Sequence, residues 1–336
     1  PMLGAGRRAF LPCGVRFTRD RGSGGAALMS AVTPCSYVMG IDGGGSTVRV
    51  VIATPELAVC GQASGPTANP SVVGRDAAAE TIHAAMWGAL EDAGLLPEQV
   101  SAVGIGVAGA AASHSEAWLR QVVTAVTPHA RLALSADYEI ALAGALGKRC
   151  GVLVLAGTGS FVYGVNSAGE SALVGGWGYL LGDEGGGYWI GMEGLRAVTR
   201  ALDGRGPATT LTGTLAAVLG VRDRHDLIRW LYGGAKRTHD TAELARQVLE
   251  QAAGDPVAAA IIQRAADELA QAAEAVIRRL NMESPEFAFA GGLLSEPNPL
   301  TEALCRALRL AAVPVPRHPP VIGAALLALQ LIQPSG

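Results

Sequence analysis

The stretch Met39 to Ile52, MGIDGGGSTVRVVI, constrains this chain more than any other. An apolar run from Tyr37 to Ile41 ends in a single carboxylate, Asp42. Gly43, Gly44 and Gly45 follow, then the hydroxyls of Ser46 and Thr47, then a β-branched run from Val48 to Ile52. Strand signals on both sides of a tight turn predict a β-hairpin. A turn without side chains lets a polyanion approach backbone N–H groups, which favour negative charge. Asp42, at the strand end, suits a metal ion held directly or through water. On this stretch alone, a glycine turn with no ligand is the other reading.

The pattern recurs. Val152 to Ala156 reads as a strand, Gly157-Thr158-Gly159-Ser160 as a turn of glycines and hydroxyls, and Phe161 to Asn166 as a second strand. A third glycine turn, Gly291-Gly292, follows the short strand Phe287 to Ala290. Two hairpins in separate halves imply an internal repeat that grips one polyphosphate from both sides, with the third turn against a nucleoside. No GxxxxGK[ST] occurs, so a P-loop is excluded, and protein-kinase signatures are absent.

Between the hairpins lie the candidate acceptor contacts. Asn69, in the loop Gly65 to Pro70, carries both donor and acceptor groups suited to a sugar hydroxyl; a turn-forming Asn before Pro explains it equally well. A strand from Leu132 to Ser135 is expected to end at Ala136-Asp137, before an alanine-rich helix from Tyr138 to Leu146. Gly104, Gly106 and Gly109 match GxGxxG. The next strand-end acid, Asp137, comes too late for the dinucleotide fingerprint, and the motif is set aside. Gly175 to Gly194 groups Trp177, Tyr179, Tyr188 and Trp189 with Asp183 and Glu184. Aromatic faces beside carboxylates suit a sugar; the competing reading is an apolar plug with a capping acid.

Other helices are expected over Asp76 to Ala93, Ser113 to Val126, most of Thr209 to Leu280, Leu300 to Leu310 and Val321 to Ile332, with a short strand at Val313 to Val315. With 336 residues, 49% of them apolar and 5% aromatic, the chain suits a two-domain α/β protein. A net charge of −3 with scattered basic residues gives no argument for nucleic acid. Five dispersed cysteines without CxxC spacing fit a reducing cytoplasm and argue against a zinc or iron–sulfur site. No stretch has the ~18 apolar residues a membrane span needs. Arg7-Arg8-Ala9-Phe10-Leu11 looks like a twin-arginine export signal, but charges follow where an apolar region belongs, and export is rejected. Residues 1–36 are expected to be a disordered leader or an extension, with Met29 or Met39 as a natural start.

The motifs GIDGGGST (40–47), TAN (67–69), SAD (135–137), AGTGS (156–160), GGWGYLLGDEGGGYWIG (175–191) and AGG (290–292) stand in one order over roughly residues 38 to 330. Together they resemble the BadF/BadG-type ATPases of the sugar kinase/Hsp70/actin superfamily, the group that includes N-acetylglucosamine and glucosamine kinases. The resemblance implies an α/β, two-lobe actin-like ATPase (ribonuclease H-like) fold with an inter-lobe cleft. The lobes would be 37–147 and 148–336, hinged around Gly144 to Gly151. It implies ATP bound by Gly44, Gly45, Ser46, Thr47, Gly157, Thr158, Gly159, Gly291 and Gly292, with Asp42 placing Mg²⁺. It implies Asn69, Asp137, Ser160, Gly176, Trp177 and Asp183 around an amino sugar, with Asp137 as the catalytic base. Phe161 departs from the polar Asn that follows this Ser in a sugar kinase of the group.

The expected reaction is phosphorylation of an amino sugar in the cytoplasm, most naturally at the 6-hydroxyl of N-acetylglucosamine or glucosamine. N-acetylmuramic acid is an alternative acceptor, and homodimers are common among such kinases. The rivals are an ATPase activator of another enzyme, which in this superfamily bridges subunits with an iron–sulfur cluster, and a non-catalytic sugar sensor. Only Cys150 lies near a phosphate turn, which counts against the activator.

Overall fold

The computed structural model describes residues 36–109, 115–234 and 238–333. The leader expected before Ser36 and the first residues of the helix expected from Ser113 lie outside them. The chain opens with β1 (Tyr37–Gly43), β2 (Thr47–Ala53) and β3 (Val59–Pro66), joined as an antiparallel meander. After α1 (Pro70–Val73) and α2 (Arg75–Ala93), β4 (Val100–Val107) pairs parallel to β1. After α3 (Glu116–Thr124), β5 (Arg131–Ser135) pairs parallel to β4, giving the order β3-β2-β1-β4-β5. Then comes α4 (Asp137–Leu146).

The second sheet repeats the plan. β6 (Gly151–Ala156), β7 (Ser160–Val165) and β8 (Ser171–Gly175) form another antiparallel meander. A helical stretch follows: α5 (Gly187–Leu202), α6 (Leu211–Leu219), α7 (Arg224–Tyr232), α8 (Thr238–Ala242), α9 (Ala245–Gln251) and α10 (Pro256–Arg279). β9 (Phe287–Ala290) pairs parallel to β6, closing the order β8-β7-β6-β9. The chain continues through α11 (Pro299–Ala307) and α12 (Pro320–Ile332). Meander plus parallel strand, used twice, is the repeat that the two glycine hairpins announced.

Period-two alternation sets the layers of the first sheet. Met39, Ile41, Val50 and Ile52 point to one face and pack with Ile82, Met86 and Leu90 of α2. Val38, Val51 and Ala53 point to the other face, where Val321, Ile322, Ala325 and Leu329 of α12 cover them. Strands buried on both faces read as near-continuous apolar runs, as β1 does up to Ile41 and β2 does from Val50 onward. In the second half, α10 presents Ile261, Ala265, Leu269, Ala273 and Val276 to the core, the face expected from its spacing.

Four findings differ from the expectations. The last helix packs on β1, β4 and α4 of the first half, so its core belongs with the amino-terminal sheet and not with residues 148 onward. The contact is close enough to need glycine: a Cβ on Gly104 would run into the carbonyl of Ala324, and one on Gly40 into that of Val321. Gly104 of the GxGxxG match therefore serves a helix–strand contact. No strand forms at Val313 to Val315, where Pro314 and Pro316 offer no N–H donors. β8, not expected from the sequence, completes the second meander. Asp137 is the first residue of α4 and not the last of a strand.

Candidate functional site

The candidate residues of the first half gather at the carboxyl ends of the parallel strands β1, β4 and β5, where ligands bind in open α/β sheets. Asp42 is only 7% exposed. It pairs with Arg49 across the hairpin, Nη1 to Oδ2 3.7 Å. Burial pushes its pKa up to about 6; Arg49 works against that rise and the charge of Asp137 adds to it. Asp137 is itself raised by burial, opposed by backbone N–H groups at the start of α4. Two carboxylates from distant parts of the sequence thus share one half-buried electrostatic environment.

The turn beyond Asp42 closes with Gly44 N–H donating to Thr47 O at 2.9 Å, which leaves Gly45 and Ser46 exposed at its tip. Thr67 reaches across and donates its hydroxyl to Gly44 O at 3.3 Å. Asn69 Oδ1 accepts from Ser71 N at 2.9 Å, capping α1, and lies so close to Gly109 that a Cβ there would meet it. Asn69 is thus both a turn residue, as the simpler reading held, and a neighbour of the β4 end.

In the second half the turn 157–160 is docked on the start of α5. Gly187 N–H donates to Gly157 O at 2.8 Å and Tyr188 N–H to Thr158 O at 2.9 Å. Asp183 does not cap that helix; its N-cap is Gly186 with no side-chain bond. With φ of 58°, Asp183 sits in the left-handed region, a strained position that aspartate tolerates better than most residues. Its Oδ1 accepts from Gly178 N at 3.2 Å, and its carboxylate packs on Gly159 and is hydrogen-bonded by the Ser160 N–H. Burial raises its pKa, and the two N–H groups hold it down. Ser160, itself buried, donates its hydroxyl to Glu184 O at 2.7 Å, and Gly176 N–H donates to Ser160 O at 3.0 Å. Asp183, Ser160 and Gly176 form one bonded unit around the second turn.

The third turn belongs to the same edge. Gly291, with φ of 87°, lies where a Cβ would strike Ala156 O at the end of β6. Leu293 N–H donates to that same carbonyl at 3.1 Å. Gly157, Thr158 and Gly292 line a cleft of about 1140 Å³ together with Glu243, Arg246 and Asn298. That volume holds a nucleoside with room to spare.

The aromatic cluster of residues 177–189 does not stay together. Trp177 is 75% exposed, Tyr179 and Tyr188 meet edge to face at 4.8 Å, and Trp189 joins the core beneath Arg264, whose guanidinium lies 5.4 Å from the ring. Sequence reasoning missed Arg49, Tyr138, Glu139 and Tyr163. Arg49 was visible as the lone charge in a β-branched run. The other three are signalled only by tertiary contact.

Two sheets of the same plan, each ending in a glycine turn beside acids, define a two-lobe actin-like ATPase fold. Residues 39–328 match the BadF/BadG/BcrA/BcrD ATPase family, and the chain belongs to that family. It is 33% identical over 277 residues to an N-acetylmuramic acid/N-acetylglucosamine kinase of Clostridium acetobutylicum, covering 82% of this chain and 90% of that one. It is 32% identical over 312 residues to an N-acetyl-D-glucosamine kinase of Dictyostelium discoideum, covering 87% and 97%. A crystal structure from Chromobacterium violaceum, provisionally named an N-acetylglucosamine kinase, superposes with a TM-score of 0.68 at 29% identity, covering 88% of this chain and 99% of that one. No helix among the described residues is long and apolar enough to cross a membrane.

Proposed function

We propose that this protein is an ATP-dependent kinase that phosphorylates an amino sugar, with the 6-hydroxyl of N-acetylglucosamine or glucosamine as acceptor. The observation that carries the reading is the position of two acids at the carboxyl edge of the first sheet, Asp42 near the end of β1 and Asp137 just beyond the end of β5, in a family of ATPases. The kinases it resembles support the choice of acceptor.

In this reading Asp137 accepts the proton of the attacking sugar hydroxyl, while the oxygen bonds to the γ-phosphorus and ADP leaves. Such proton transfer contributes about 10²–10⁴ in rate. The remaining demand is positioning and charge neutralisation. The turns 44–47 and 157–159 supply backbone N–H groups for phosphate, and Gly291 and Gly292 border the nucleoside cleft. Asn69, Ser160, Gly176, Trp177 and Asp183 surround the sugar. Among the described residues no group of three or more His, Cys, Asp or Glu is arranged as a metal cage. Mg²⁺ needs none, because it keeps several waters and binds through one or two carboxylates and substrate phosphate. Asp42 fits that role, buried with its charge opposed by Asp137. When bound, the ion would neutralise phosphate charge. The site chemistry and the cysteine pattern suit a cytoplasmic enzyme.

ADP release measured over a panel of N-acetylglucosamine, glucosamine, N-acetylmuramic acid and plain hexoses tests the reading. Release that depends on an amino sugar supports it, and release independent of every sugar overturns it. The Clostridium acetobutylicum relative favours N-acetylmuramic acid as the second acceptor to try.

A further inference from the structure

One carboxylate close to the candidate site is absent from the roles above. Glu139 Oε2 accepts the backbone N–H of Ala136 at 2.8 Å, and Glu139 Oε1 accepts the hydroxyl of Tyr163 at 3.0 Å. Ala136 is the N-cap of α4 and has no side chain able to cap it, so Glu139 supplies the bond at that helix start. Tyr163 belongs to β7 of the other sheet and is 4% exposed. One carboxylate thus pins the backbone immediately before Asp137 to a strand of the second half.

The pin is reinforced by rings. Tyr138 lies 4.7 Å from the Tyr163 ring and 5.4 Å from Phe161, edge-on. Phe161 directly follows Ser160, and its Cβ lies 3.4 Å from where a Cβ on Gly176 would stand. The residue after Asp137 therefore touches the residue after Ser160, and Glu139 locks the register of that contact. We infer that Glu139 and Tyr163 are positioning residues for phosphoryl transfer: they fix Asp137 relative to the Ser160 turn. The inference rests on Asp137 acting as base. Its physical content is geometric, since a misplacement of ~1 Å at the reacting group costs on the order of 10²-fold in rate.

Tyr163→Phe removes one hydroxyl and keeps the ring packing. Steady-state kinetics of this variant should show kcat reduced at least about tenfold, with KM for ATP and sugar and the unfolding temperature unchanged. Glu139→Ala should lower kcat alike and also lower the unfolding temperature, because it removes the bond at the start of α4. Glu139→Gln, whose oxygen can accept from Ala136 N–H while its NH2 donates to the Tyr163 hydroxyl oxygen, should regain most of the rate. Wild-type kcat in Tyr163→Phe overturns the inference, as does a loss in that variant matched by an equal fall in stability. Asp137→Ala, run in parallel, separates the two claims. An inactive Asp137→Ala beside a fully active Tyr163→Phe sinks the positioning role alone. Turnover by Asp137→Ala sinks both.

Discussion

The ring of Tyr138 meets the ring of Phe161 edge-on with centroids 5.4 Å apart, and each of these residues follows a candidate site residue, Asp137 and Ser160. The two halves of the chain are thus joined by packing one residue away from the proposed base and a proposed sugar contact. Changes that leave this contact alone should separate chemistry from architecture.

Asp137→Ala keeps the Tyr138 and Glu139 contacts and removes the proposed base. Sugar-dependent ADP release should fall by about 10²–10⁴, while ATP affinity measured by calorimetry stays near that of the wild type. Full turnover would remove Asp137 from the mechanism.

Asp42→Asn keeps the shape of a buried side chain and removes its charge. Activity titrated with Mg²⁺ should need roughly tenfold more of the ion for half its maximum, and chelation should abolish turnover in both proteins. An unchanged Mg²⁺ curve would place the ion elsewhere.

Asp255 should contribute to acid stability in the second half. Buried, it would be expected to hold its proton more tightly. Five hydrogen bonds, from Thr209 Oγ1, Thr210 N and Oγ1, Val257 N and Ala258 N, outweigh burial and bring its pKa down to about 2. The folded pKa lies below the ordinary 3.8, so this stabilisation is complete above about pH 4 and is lost as pH falls from there toward 2. Asp255→Ala should cost roughly 2 kcal/mol at neutral pH, by loss of a helix cap and of bonds to buried donors. Urea unfolding at pH 7 and pH 3 should show the gap between variant and wild type shrinking at the lower pH. A gap independent of pH would refute the account.

Gly104→Val tests the meaning of the GxGxxG match. Driving a side chain into the Ala324 carbonyl should cost about 1–3 kcal/mol or more, seen as a lower unfolding temperature. A dinucleotide role would instead leave folding intact, since the glycine would face a ligand.

Both hairpins, α2 and α10 were legible because their signals are local: apolar runs around glycines, or a spacing of three and four. The candidate edge was legible for the same reason, since Asp42, Gly157 and Gly291 each close a readable strand. Glu139 was not. Its partner at the helix start is an alanine, so no capping signature marks it, and its second partner lies 24 residues away on another sheet. The 177–189 cluster misled in the opposite direction. Residues adjacent in sequence separate once Trp189 turns inward under Arg264 and Trp177 outward. The strand expected at Val313 to Val315 followed a β-branched pattern that its prolines cannot hydrogen-bond.

The docking of α12 on β1 and β4 has a consequence for synthesis. One face of the sheet that holds β1 and β4 is covered by a helix made long after those strands, through close backbone contacts at Gly40 and Gly104. Until residues 320–332 leave the ribosome, Val38, Val51 and Ala53 face water. The sheet is translated well before the helix that covers it, and in the interval its uncovered apolar face is a surface that a chaperone can shield.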